Sequence, residues 1–222
     1  MTSLKKIKTN WSTAVSDKVF LYCLLIGLTI SGAIVVTQPI FYRFLEARNG
    51  LVLNDILLGS IEPANVSVPI FILIWGMVFL GVARSLFTPR IFLNYMTGFI
   101  LVTFMRMICL SLVPLNAPIG IVELKDPLTD VFYGGTFITK DLFFSGHTAT
   151  LVLLFLSFEK RNDKIFAGIA AVLVAALLLV QHVHYTIDVM AAPFFSWIGF
   201  KAGQKLLSFI RFKFHVGLLP AQ

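Results

Sequence analysis

The sequence predicts an all-α, polytopic membrane protein: a bundle of six transmembrane helices with both termini on the cytoplasmic side. Three observations predict it. Hydrophobic residues make up 58% of the 222-residue chain and charged residues only 13%, too little charge to cover a soluble domain of this length. The apolar residues fall in long runs, and a run of about 18 or more reads as a membrane span. The charges between the runs alternate in kind, basic on one side and acidic on the other.

The elements follow in order. Residues 1–18 are a polar, basic segment with Lys5, Lys6, Lys8 and Lys18, expected in the cytoplasm. The first apolar run covers about 19–37. It reads as a retained span and not a signal peptide, because the preceding polar region is long and no small-x-small cleavage site follows. Residues 38–65 read as a loop carrying Arg43, Glu46, Arg48, Asp55 and Glu62. Spans at about 66–84 and 91–113 are joined by the short link Ser85–Arg90. The segment 114–141 is long for a connection, and loops of that length tend to be functional. A fourth, shorter run at about 142–158 opens with Ser145-Gly146-His147-Thr148. The fifth and sixth cover about 164–184 and 187–208. The six-span membrane domain is thus 19–208, and 209–222 is a basic cytoplasmic tail. No separate soluble domain or internal repeat is visible.

Counting sides in alternation, 13 of the 18 Lys and Arg lie at the N-terminus, in the links 84–90 and 159–164, and from 201 onward. The positive-inside rule makes that side cytoplasmic. It also accounts for the net charge of +7 without a nucleic-acid partner. The partners expected are the bilayer and its lipids. Cys23 and Cys109 lie within apolar runs and read as small buried hydrophobes.

Orientation alone gathers a candidate site. Arg106 lies 16 residues past Arg90, roughly 24 Å along a helix, and so sits in the outer half of the third span. The fourth span starts outside at Asp141–His147. The fifth ends outside at Gln181, His182 and His184, and the sixth starts outside near Asp188. Ionisable groups at such depths are costly and point to function.

The spacing of His184 and Asp188 puts both on one face if the segment is helical, and a carboxylate beside imidazole fixes its tautomer and raises its basicity. Ser145 and Gly146 at a helix start leave backbone N–H groups free for phosphate, or Ser145 simply caps the helix. His147 there can protonate a leaving oxygen. Arg106 can pair with Asp141 or Asp188, or bind a substrate phosphate. His182 faces away from His184 and reads as a supporting or loop residue. His215, in the tail, reads as solvated. No metal-ligand spacing such as H-E-x-x-H or C-x-x-C occurs, so no metal and no cofactor are expected.

Asp141-Leu-Phe-Phe-Ser145-Gly146-His147-Thr148, followed by His182-Val-His184-Tyr185-Thr186-Ile-Asp188, resembles the paired signature of sphingomyelin synthases, a branch of the type 2 phosphatidic acid phosphatase superfamily. Arg106–Pro114 is similar to that group's third-span motif, and Leu53-Asn-Asp55-Ile-Leu-Leu is a weaker match. The resemblance covers about residues 40–200. It implies that His184 is the nucleophile and forms a phosphohistidine. Asp188 would orient it, and His147 would act as acid and then base. It implies no metal. Arg106, Ser145 and Gly146 would hold the phosphate, with Asp141, His182, Tyr185 and Thr148 in support. The ordinary phosphatases of the superfamily carry K-x-x-x-x-x-x-R-P, absent here, and an S-R pair where this chain has Leu177 and Leu178. That departure favours a phosphotransferase that moves a head group from a glycerophospholipid to a lipid alcohol. The alternatives are a lipid phosphatase or phospholipase-C-like hydrolase, and a transporter with the polar groups lining a path. The expected setting is a bacterial inner membrane or an endomembrane, with the site on the non-cytoplasmic face.

Overall fold

The structure, a computed structural model, describes residues 3–124 and 138–216. Part of the long 114–141 segment, with Lys125, lies outside the described residues, as do the end of the tail and the His215 side chain. Among the described residues the chain forms seven α-helices: α1 (Ser3–Ser16), α2 (Lys18–Glu46), α3 (Ser67–Phe87), α4 (Pro89–Leu112), α5 (Gly146–Ser157), α6 (Arg161–Val180) and α7 (Thr186–Val216). Four of them, α2, α3, α4 and α6, are long and apolar enough to cross a membrane. α5 is apolar but has 12 residues, about 18 Å of helix. α7 is longer, at 31 residues, with Pro193 inside it.

One polar segment gains an element and one expected loop becomes helix in part. The N-terminal segment is itself helical. α1 docks through Asn10 Nδ2, which donates to the Phe87 carbonyl at 2.7 Å, and Trp11 Nε1, which donates to the Leu86 carbonyl at 3.1 Å. These carbonyls end α3 and lack helical donors of their own, so a polar helix can bind there. Residues 38–46 are also helix and not loop. α2 continues past its apolar run because Tyr42 and Leu45 are buried against Leu110 of α4, and Pro39 is accommodated within it. Packing of the helix face outweighs the loss of hydropathy.

α4 lies at the centre, packed on α7, α2, α5 and α3, with its most extensive contact on α7. That contact is close because Gly199 and Gly203 of α7 face it. A Cβ on Gly199 would lie 2.5 Å from Val102 Cγ2, and one on Gly203 would lie 3.2 Å from Thr97 Cγ2. Small residues four apart let membrane helices approach until backbones touch. A second core joins α3, α5, α6 and the start of α7 around Ile70, Leu151, Leu154 and Val174.

The lower end of the bundle holds α1, the start of α2, the α3–α4 link, the start of α6 and the end of α7. Arg84 grips Asp163 there through two hydrogen bonds of 2.7 and 2.9 Å, and Arg211 pairs with Asp17 at 2.6 Å. The upper end holds residues 47–66 and 113–124, the approach 138–145 and the α6–α7 junction. Leu51 N–H donates to the Pro114 carbonyl and Asn116 N–H to the Leu51 carbonyl, lacing the two upper segments together.

Candidate active site

The α6–α7 junction is not a continuous helix. α6 ends in a Schellman motif: His182 N–H donates to the Leu179 carbonyl and Val183 N–H to the Leu178 carbonyl. The position that motif gives to glycine is His182, at φ 55°. A left-handed non-glycine residue costs roughly 1 kcal/mol or more. The ring offsets this. Its Nδ1 lies 2.9 Å from the Ile119 carbonyl oxygen and its Nε2 2.9 Å from that of Ile61, so whichever ring nitrogen carries the proton donates to one of the two upper segments while the ring lies between both. Beside it Gln181 donates to Ser67 Oγ and the Glu123 carbonyl and accepts from Val66 N–H.

Because α7 begins only at Thr186, His184 precedes the helix. It meets Asp188 all the same, because Asp188 lies in the first turn: His184 Nδ1 is 3.4 Å from Asp188 Oδ2. The same oxygen accepts from Tyr185 N–H at 2.9 Å. Both side chains are buried. Asp188 Oδ1 is also buried and has no hydrogen-bond partner among the described residues. Tyr185 turns the other way. Its hydroxyl donates to the Asn116 carbonyl at 3.0 Å and accepts from Leu53 N–H at 3.2 Å; burial pushes this phenol up from its usual range.

The N-terminus of α5 lies directly on this junction. Ser145 N–H donates to the Asp188 carbonyl at 3.0 Å. Ser145 Oγ caps the helix by accepting from Thr148 N–H at 3.3 Å. Thr148 is buried, and its Oγ1 has no partner among the described residues. His147, one residue into the helix, presents its ring to Phe71 of α3 edge to face, with centroids 6.1 Å apart.

Arg106 reaches this helix start from α4. Of the open pairings the structure shows Asp141: Nη2 donates to Asp141 Oδ1 at 2.7 Å, and Nε donates to the Phe144 carbonyl at 2.7 Å. A Cβ on Gly146 would lie 2.7 Å from Arg106 Nη1, so only glycine lets the guanidinium lie against the first turn of α5. Tyr42 donates to the other oxygen of Asp141 at 3.3 Å. One residue back, Glu46 accepts from the N–H groups of Thr139 and Lys140 and from Thr139 Oγ1. Lys140 Nζ donates to the carbonyls of Glu46 and Arg48.

The site residues expected from sequence therefore form one connected upper cluster around the Ser145–Asp188 link. Tyr42 and Glu46 belong to its support and carried no sequence signal, since each acts on a partner more than 90 residues away; Gln181, gathered with the outer polar groups from sequence, proves to be a support as well. Asp55 had a sequence signal, its place in the weak first-loop match. Its carboxylate accepts from Thr186 N–H at 2.6 Å and Thr186 Oγ1 at 2.9 Å. Burial alone would raise its pKa, but these bonds and those from Leu58 and Leu57 N–H outweigh it and hold the carboxyl below the usual range.

Residues 139–204, which hold both motifs, match the family model for the PAP2 superfamily C-terminal region. The match spans less than a third of the chain and is a similarity to that region of the type 2 phosphatidic acid phosphatase superfamily. Members of the PAP2 superfamily are phosphatases and phosphotransferases acting on phosphoesters, and the match together with the apolar helices supports an integral membrane protein. No curated protein and no solved structure matches the chain. Within the matched region Leu178 is fully buried in the core, so one of the two positions that carry S-R in ordinary PAP2 phosphatases faces packing here and not a ligand.

Proposed function

We propose that the protein is a membrane-embedded lipid phosphotransferase. It moves a phospho-head group from a glycerophospholipid to a lipid alcohol, as the sphingomyelin-synthase-like branch does, through a phosphohistidine. The observation that carries this reading is the Ser145 N–H···O=C Asp188 hydrogen bond. It joins the start of α5, which carries His147, to the His184–Asp188 pair.

In this reading Asp188 holds the Nδ1–H of His184, which leaves Nε2 as the nucleophile. Nε2 attacks phosphorus as the phosphorus–oxygen bond to diacylglycerol breaks. His147 gives its proton to the leaving oxygen. The backbone N–H groups at the start of α5 and the adjacent Arg106 charge stabilise the phosphoryl oxygens. In the second half, His147 takes the proton of the acceptor hydroxyl, whose oxygen attacks phosphorus and releases His184. Positioning and charge do most of the work in such transfers.

The proposal extends to topology. Six spans form if α5 together with its approach 141–145 counts as one and α7 as another. In this reading the lower end is cytoplasmic and the site lies on the opposite face; the support is the gathering of 13 basic residues at the lower end. Purified protein in vesicles of mixed phospholipid is expected to release diacylglycerol, and adding a lipid alcohol is expected to divert the head group onto it. Release of a free phospho-head group at an unchanged rate with the alcohol present would make the enzyme a hydrolase. Intact release by His184→Ala would remove the nucleophile assignment.

A further inference from the structure

A helix is ordinarily capped by the residue just before it, whose side chain accepts one of the first free N–H groups. At α7 that residue is Tyr185, which has no acceptor to offer there and points its hydroxyl at Asn116 and Leu53. The start of the helix is nevertheless capped, by a carboxylate 131 positions earlier. Asp55 takes both the N–H and the hydroxyl of Thr186. The same carboxylate accepts from Leu58 N–H at 3.1 Å and closes its own turn.

Thr186 lies midway between His184 and Asp188. The His184–Asp188 contact is long, at 3.4 Å, and its geometry depends on how the junction enters the helix. Tyr185 N–H already binds Asp188 and Tyr185 O–H already binds the Asn116 carbonyl. The 51–61 segment holds the chain between His184 and Asp188 at two points, Leu53 N–H on the Tyr185 hydroxyl at the far end of a long side chain and Asp55 directly on the Thr186 backbone.

We propose that Asp55 is a positioning residue for the nucleophile: by capping α7 from the upper segment it fixes Thr186, and through it the orientation of His184 toward Asp188. The inference rests on the phosphotransferase reading for its rate consequences, and on geometry alone for its structural ones. Asparagine can keep most of the contact. Its amide oxygen accepts from Thr186 N–H, and its amide N–H donates to Thr186 Oγ1. Alanine keeps none.

The test uses the full chain in phospholipid vesicles and compares wild type with Asp55→Ala, Asp55→Asn and Thr186→Val. Each is scored per folded molecule from a melting curve taken alongside. Asp55→Ala is expected to lower kcat roughly ten- to a hundredfold with KM little changed. Asp55→Asn is expected to recover most of it, and Thr186→Val, which keeps the N–H bond, to fall between. The acid limb of the kcat–pH profile is expected to move in Asp55→Ala, because His184 loses alignment with Asp188. A kcat per folded molecule that matches wild type in Asp55→Ala overturns the proposal, as does a lowered kcat with an unmoved pH profile and no recovery by asparagine.

A second measurement separates this inference from the activity it rests on. The rate at which diethyl pyrocarbonate modifies His184, followed by peptide mass spectrometry, reports the exposure and hydrogen bonding of its ring without turnover. If wild type releases no diacylglycerol, the phosphotransferase reading fails. Positioning by Asp55 then stands if the His184 modification rate rises in Asp55→Ala and returns in Asp55→Asn, and falls if the rate is the same in all variants.

Discussion

The two ends of the bundle use the same residue types and treat them differently. At the lower end Arg84 and Asp163 satisfy each other with two hydrogen bonds, and Arg211 and Asp17 form a direct pair. These charges are spent on joining helices. At the upper end Arg106 also finds a carboxylate, and its guanidinium further binds the Phe144 carbonyl and lies against Gly146 at the start of α5. Asp188 is buried with one oxygen unpartnered among the described residues. A buried carboxylate with spare capacity is a cost to folding, and such costs collect where chemistry is done. The lesson is to look for a functional end where a buried charged group keeps hydrogen-bonding capacity that its neighbours do not fill.

Substitutions can break that contrast. The largest effect is expected from His184→Ala, which should lower diacylglycerol release on the order of a thousandfold or more with little change in melting temperature. His147→Gln is expected to cost roughly a hundredfold or more, with partial relief for a donor whose leaving group needs no proton, such as a nitrophenyl phosphodiester. Activity assays on those two donors check it. At the lower end, Asp163→Ala should leave kcat unchanged and destabilise the fold by about 1–3 kcal/mol, between an exposed and a buried pair; thermal unfolding in detergent reads this. Gly199→Ala should cost about 1–3 kcal/mol by forcing α7 off Val102, again with the chemistry intact in what remains folded.

The smallest effect is a pH dependence. The folded pKa of Asp55 is depressed, so its cap contributes stability that is fully present above the ordinary carboxylate range. That contribution is lost as pH falls through the lower, folded value. Asp17 follows the same sign: burial would raise it, but the Arg211 hydrogen bond and the Phe20 and Val19 N–H groups hold it down. Melting curves from neutral pH to below pH 4 should show wild type losing stability, with Asp55→Asn losing less. Asp17→Asn, at the end of the bundle away from the site, is expected to leave kcat at the wild-type value across this range.

Much of the site was legible before the fold. His147, His184, Asp188 and Arg106 could be gathered at one depth by counting spans and charges, because a bilayer restricts helices to alternating directions. The link between the two motifs was not. It is a backbone hydrogen bond from Ser145 to Asp188, which no side-chain pattern encodes. The supports Tyr42 and Glu46 were hidden because their side-chain partners lie more than 90 residues away. The end of α2 was misplaced because hydropathy stops at residue 37, whereas the helix is carried on by Tyr42 and Leu45 packing against α4.

The sequence by itself determined that this is a membrane protein of apolar helices with its histidine motifs at helix ends. Those are statements about burial in lipid and about local spacing, and both are written in consecutive residues. The tertiary structure decided which carboxylate neutralises Arg106, which residue ends α6 in a left-handed turn, and which aspartate caps α7. Each of these joins segments far apart in the chain, where the partner is chosen by packing and by the demand that buried polar groups be satisfied, and no local pattern records that choice.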